Sequence, residues 1–151
     1  MWHRNNGFTL MEILITLTII GIILSIATLS FTSVRMDSRD GRRKTDLEEV
    51  RSALEQYKST NNAYPTPGSS FGLPFGQSGL LDSASNTYLQ RIPQDPLYPR
   101  RNYYYQTSGA DYTLSTELEN VETTPCAIPA GGNSCGTGFA CNYCMGSYGK
   151  K

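Results

Sequence analysis

From Ile13 to Val34 the chain carries no charged residue and is apolar on nearly every side. That pattern predicts a helix surrounded by lipid or by other apolar helices rather than one half-buried on a protein core. The run is long enough to cross a bilayer. Thr16, Thr18, Ser25 and Thr28 lie within it, but hydroxyls in a helix can return hydrogen bonds to the preceding turn and are tolerated there. At Arg35 the pattern changes. Leu47, Val50, Leu54 and Tyr57 recur at spacings of three, four and three, with Ala53 beside them, which predicts one apolar stripe on an amphipathic helix. Arg39, Arg43, Asp46, Glu49, Arg51 and Lys58 are expected on its other faces. Gly41 is its weakest point, costing about 1 kcal/mol relative to alanine. The asparagines and prolines of Asn61 to Gly68 end the helix.

A Gly/Ser/Pro-rich loop follows to about Gln77. Leu80 to Ile92 is expected to hold a short helical turn or irregular packing around Leu80, Leu81, Tyr88, Leu89 and Ile92. Pro93-Gln94-Asp95-Pro96 reads as a turn. Asn102 to Thr107 is rich in strand formers, Ser108-Gly109-Ala110-Asp111 has hairpin-turn length, and Tyr112 to Glu119 alternates. Tyr112, Leu114, Thr116 and Leu118 share one face; Thr113, Ser115, Glu117 and Glu119 share the other. From Thr123 onward Gly, Pro, Asn and Cys predict an irregular loop. The fold class expected is α+β: a long N-terminal helix, apolar then amphipathic, packed on a small antiparallel β-sheet.

Charge narrows the function. Thirteen basic and thirteen acidic residues give a net charge of +0, which argues against bulk electrostatic binding to nucleic acid. Tyr103, Tyr104 and Tyr105 are either ordinary strand composition or a stacking platform for single-stranded DNA. Four cysteines, Cys126, Cys135, Cys141 and Cys144, fall in the last 26 residues. In an oxidising compartment they pair as two disulfides, with three connectivities open. The rival is a zinc site, because Cys141-x-x-Cys144 has ligand-like spacing, although Cys126 and Cys135 are nine positions apart. No cofactor is expected.

The carboxylate of Glu12, at the edge of the apolar run, is costly in a membrane: roughly 2.5–3.5 kcal/mol at the bilayer centre. The string Gly7-Phe8-Thr9-Leu10-Met11-Glu12 resembles the processing site of type IV pilins and of the pseudopilins of type II secretion. That resemblance implies a leader of residues 1–7, cleavage between Gly7 and Phe8 by prepilin peptidase, N-methylation of Phe8, and a role for Glu12 in filament assembly. Trp2 and His3, the only tryptophan and histidine, would leave with the leader. A mature chain without histidine argues against an enzyme. An ordinary signal peptide is the competitor, since Ser25-Ile26-Ala27 is a small-x-small site. Yet the apolar run continues through Leu29, Phe31 and Val34, and a signal peptide has no need of Glu12.

Downstream, Asn61-Asn62-Ala63-Tyr64-Pro65, Tyr88 to Pro96 and Tyr103 to Glu119 resemble the globular domain of the major pseudopilin and of similar pilins. The expected division is leader 1–7, filament-core helix 8–34, amphipathic helix 35–58, loop and hairpin region 59–122, and cysteine-rich loop 123–151. The family's C-terminal loop binds calcium, but this chain has no acidic residue after Glu122, so no metal site is carried over. The resemblance implies a single-pass inner-membrane protein with an extracytoplasmic globular domain. It implies self-assembly into a filament on an inner-membrane assembly platform, in a type IV pilus or a type II secretion pseudopilus. The other reading is a monomeric membrane-anchored domain that binds a ligand or DNA. One pattern opposes export: Arg35, Arg39, Arg42, Arg43 and Lys44 cluster after the apolar run, and the positive-inside rule would hold that end in the cytoplasm.

Overall fold

The computed structural model describes residues 7–66, 79–108, 110–120, 126, 135, 136, 138 and 140–150, with the backbone alone for 27–30. Helix α1 spans Leu10–Asn61, 52 residues, and Gly41 does not interrupt it. Asn62 ends it in a left-handed conformation, φ 57°, with its N–H donating to the Lys58 carbonyl at 2.8 Å, a cap that asparagine tolerates well. The chain forms two compact units, Met1–Met36 and Asp37–Lys151. In the first, the apolar side chains from Leu10 to Ile26, with Phe31 and Val34, are exposed. The leader segment 1–6, the loop 67–78 and most of 121–134 lie outside the described residues.

In the second unit two antiparallel sheets accompany the helix. Strands β1 (Leu80–Leu81) and β2 (Thr87–Leu89) form a small ribbon where a helical turn or irregular packing was expected. Asp82 closes it, accepting hydrogen bonds from Ala84 N–H, Asn86 N–H, Asn86 Nδ2 and the Tyr88 hydroxyl at 2.8–2.9 Å. Those bonds, the Asn86 side chain first, hold its carboxyl down at about 2. Gly79 enters the ribbon against the Leu89 and Gln90 carbonyls, where any Cβ would collide with backbone. The larger sheet has order β3-β4-β5-β6: Tyr104–Thr107, Tyr112–Thr116, Tyr143–Gly146 and Gly149–Lys150. The β3–β4 hairpin is as expected, closed by the Ser108 N–H donating to the Asp111 carbonyl.

Two expectations fail in this sheet. The cysteine-bearing tail is not loop throughout, because β5 and β6 extend the sheet from β4. Strand β4 is also buried along its whole length, including Thr113 and Ser115 on the face expected to meet water. Its alternation still sorts residues by environment. Tyr105, Leu114 and Met145 align across three strands and join Leu47, Val50, Ala53 and Leu54 of α1 in the main core. Each fully buried aliphatic side chain contributes about 1.5–3 kcal/mol. The core is rich in tyrosine, so each phenol needs a partner: Tyr112 and Tyr64 donate to Glu55, Tyr105 to the Pro65 carbonyl, and Tyr103 to Asp46. Tyr103 and Tyr105 are therefore spent on the interior and are no stacking platform.

Candidate functional site

Thr9 precedes the first turn of α1 and acts as its N-cap. Its hydroxyl accepts the Glu12 N–H at 3.2 Å, while the Glu12 carboxylate accepts the Thr9 N–H at 3.4 Å. This reciprocal pair is a capping box, in which the Glu12 N–H is shared with the Thr9 carbonyl at 3.1 Å. The structure thus gives Glu12 a local role at the helix start, beside the assembly role implied by the resemblance. Phe8 is 79% exposed, and a Cβ added at Gly7 would meet nothing within 4 Å. Among the described residues nothing crowds position 7. Three of the expected hydroxyl bonds along the apolar helix are present: Thr16 donates to Ile13, Thr18 to Ile15 and Ser25 to Ile22, at 2.7–2.9 Å, while the Thr28 side chain lies outside the described residues. Polar atoms satisfied within the helix leave its outer surface apolar, which suits lipid or a neighbouring apolar helix.

A second constellation was not foreseen. Arg43, expected on a solvent face, is fully buried. Its guanidinium donates to both oxygens of Asp95 at 2.7 and 3.2 Å, and to Asp40 and Glu119 at 2.7 Å each. Arg39 holds Glu119 in a second bidentate pair at 2.6–2.7 Å. Asp40 in turn accepts the backbone N–H groups of Glu119 and Asn120. The Arg39 hydrogen bonds, aided by Arg43, hold the Glu119 carboxyl at about 2 against the opposing effect of burial. Burial alone would lower the Arg43 value, but its bonds to Asp95 and Glu119 outweigh that and raise it. Asp46, also expected to face solvent, is buried and accepts the Tyr103 hydroxyl at 2.7 Å. The missed signal was in the stripe itself: Arg43 lies four residues before Leu47, and Asp40 three before Arg43, on the same helix face. Of the five cations that opposed export, these pairs bury one and neutralise another inside the folded unit.

The cysteines pair as Cys126–Cys144 and Cys135–Cys141, one of the three connectivities left open. No described cysteine is free, so the Cys141-x-x-Cys144 spacing does not serve as a metal pair here.

Two family profiles match the chain in succession. The prokaryotic N-terminal methylation motif covers residues 2–28 and includes Gly7, Phe8 and Glu12. The profile of type II secretion system (T2SS) protein G covers residues 31–119 and stops before the cysteines. Three similar relatives are each named type II secretion system core protein G. The protein of Pectobacterium carotovorum is 29% identical over 62% of this chain and 63% of its own length. That of Aeromonas hydrophila is 28% identical over 62% and 68%, and that of Klebsiella pneumoniae 28% over 74% and 75%. The match thus spans less than two thirds of the Pectobacterium relative's length. No solved structure gives a significant match. With the second profile covering more than half of it, this chain belongs to the type II secretion system protein G family.

Proposed function

We propose that the chain is the precursor of a structural, non-catalytic subunit of a type II secretion pseudopilus. The observation that carries this is the succession of the methylation motif and the protein G domain over residues 2–28 and 31–119. In this reading prepilin peptidase cuts between Gly7 and Phe8, and Phe8 becomes the methylated N-terminus. Among the described residues nothing crowds Gly7, which supports a requirement imposed by an outside enzyme. The subunit waits in the inner membrane on its apolar helix, with the globular unit outside. It is then added to a filament through an inner-membrane assembly platform, and apolar helices of neighbouring subunits cover one another. The exposed side chains from Leu10 to Ile26 support this, because a continuous apolar surface needs lipid or its own kind around it. Glu12 neutralises the α-ammonium of a neighbour's Phe8, since a cation in an apolar filament core needs a counter-charge.

Intact mass and N-terminal sequencing of membrane-extracted protein test the first step. The expected product begins at Phe8 and lacks the only tryptophan, Trp2. A product beginning at Thr28 would mean that ordinary signal peptidase acts, and would end this reading. Shearing tests the second step: a filament subunit sediments with high-mass material, whereas a monomeric anchor yields none.

A further inference from the structure

The two faces of β4 are closed by different means. On one, the row Tyr105–Leu114–Met145 lies in the aliphatic and aromatic core with α1. On the other, the row is Tyr104–Ser115–Cys144, and its cover is a buried cluster of Cys135, Cys141 and Cys144 with Tyr104 and Cys126 alongside. Among the described residues this cluster holds no aliphatic side chain. The Cys135 sulfur lies 4.0 Å from the hydroxyl of the fully buried Ser115. The Cys126 N–H donates to the Cys141 carbonyl at 3.1 Å, and the Asn102 N–H to the Cys135 carbonyl at 2.8 Å, so both disulfides sit side by side against the sheet. The pairs are nested: the inner bond joins residues six apart and the outer one residues 18 apart. Cys141 and Cys144, nearest in sequence, are not joined to each other. Proximity along the chain therefore does not select the connectivity, and the β4–β5 pairing places Cys144 beside Ser115, which also lies against Cys135.

The calcium implied by the family resemblance does not fit this chain. Calcium takes about six to eight oxygen ligands, several of them carboxylates, and no Asp or Glu follows Glu122. Among nearby carboxylates, Glu117 pairs with Arg101 at 3.4 Å through one oxygen and leaves the other buried without a hydrogen bond, a single candidate oxygen where several are needed. Asp111 accepts the Tyr112 N–H, the Ser147 N–H and the Ser147 hydroxyl, and Glu119 is held by two arginines. The described residues contain no cluster of three metal-ligating side chains.

We propose that thiol oxidation takes the metal's place: forming Cys126–Cys144 and Cys135–Cys141 is the step that closes the second face of the sheet. The globular unit is then completed only where a protein disulfide is available as oxidant. For each bond, one thiolate attacks a sulfur of the oxidant's disulfide, and the second cysteine displaces the oxidant from the mixed disulfide. Two S–H bonds are lost, one S–S bond forms, and the oxidant leaves as a dithiol carrying the two electrons and two protons.

The test uses the full chain, extracted in detergent and unassembled, so its outcome is separate from that of the filament reading. Thermal melting is followed by near-UV circular dichroism in four states: oxidised, reduced, oxidised with a calcium chelator, and oxidised with added calcium. Reduction should lower the melting temperature by roughly 10 °C or more, and reoxidation of the same sample should restore it. Chelator and calcium should leave it unchanged. The paired variant Cys135→Ser/Cys141→Ser should melt between the two extremes while peptide mapping still finds Cys126 joined to Cys144. Reduced protein that melts with the oxidised form, a calcium-dependent rise, or stoichiometric zinc on four alkylatable thiols would each overturn the proposal.

Discussion

Truncating Arg43 would leave Asp95, Asp40 and Glu119 facing one another in the interior without their shared cation. Breaking a buried pair in this way typically costs about 3–5 kcal/mol, so Arg43→Ala should lower the urea midpoint by at least that equivalent. Arg43→Lys should recover only part of the loss, because an ammonium cannot make the bidentate contact with Asp95 while also reaching the other two. The same cluster sets a pH dependence. Glu119 titrates at about 2 when folded and at an ordinary 4.5 otherwise. Its contribution is therefore complete above pH 4.5 and drains away as pH falls towards 2. Urea midpoints should drop between about pH 4.5 and 2, and Glu119→Gln should flatten that slope. At Glu12 the capping box separates two roles. Glutamine also serves in a capping box, so Glu12→Gln keeps the cap and removes only the charge. If the charge matters through a neighbour's ammonium, the variant should be cleaved and inserted yet form no filaments. Normal filaments from it would sink the pairing mechanism.

At the scale of elements, legibility followed periodicity. The apolar run, the stripe from Leu47 to Tyr57 and the alternation from Tyr112 onward are each long enough to declare a helix or a strand, and both elements, α1 and β4, are present. What repeats too little was missed. Strand β5 is only Tyr143-Cys144-Met145-Gly146, and β1 only Leu80-Leu81, too short for a period to show. Thr113 and Ser115 read as water-facing because they are polar, and nothing local to β4 revealed that they would be buried, Ser115 against the disulfide-bonded tail. Arg43 was misplaced for the same reason: its type outvoted its position on the stripe. The strand that ties the two covers together is β4, and Leu114 lies fully buried on its helix-facing side. Leu114→Ala should cost about 2–5 kcal/mol, read as a shift in urea midpoint with unchanged disulfide mapping. Loss of the disulfides in that variant would mean that the sheet's two faces are not closed independently.

For the whole molecule the open tension is orientation. Five cations, Arg35, Arg39, Arg42, Arg43 and Lys44, follow the apolar run, against Arg4 and His3 before it. By charge count the globular unit belongs in the cytoplasm. The folded unit changes that account, because Arg43 is buried among three carboxylates and Arg39 is bound to Glu119. Those pairs draw on Asp95 and Glu119, far along the chain, so they exist only after folding. In the proposed orientation the unfolded segment carries its full charge during insertion, and the folded unit on the far side holds part of it in buried pairs. Export is thus opposed at insertion and, once the unit has folded, hard to reverse, since drawing the segment back would break buried ion pairs. The expected outcome is that protease added to spheroplasts removes the globular unit and spares a cytoplasmic marker. In the same preparation Asp95→Asn, which keeps the side chain's shape but weakens the Arg43 pair, should be degraded faster yet remain outside. A globular unit cut only after the inner membrane is lysed would reverse the orientation, and would leave the disulfides in a compartment that does not favour them.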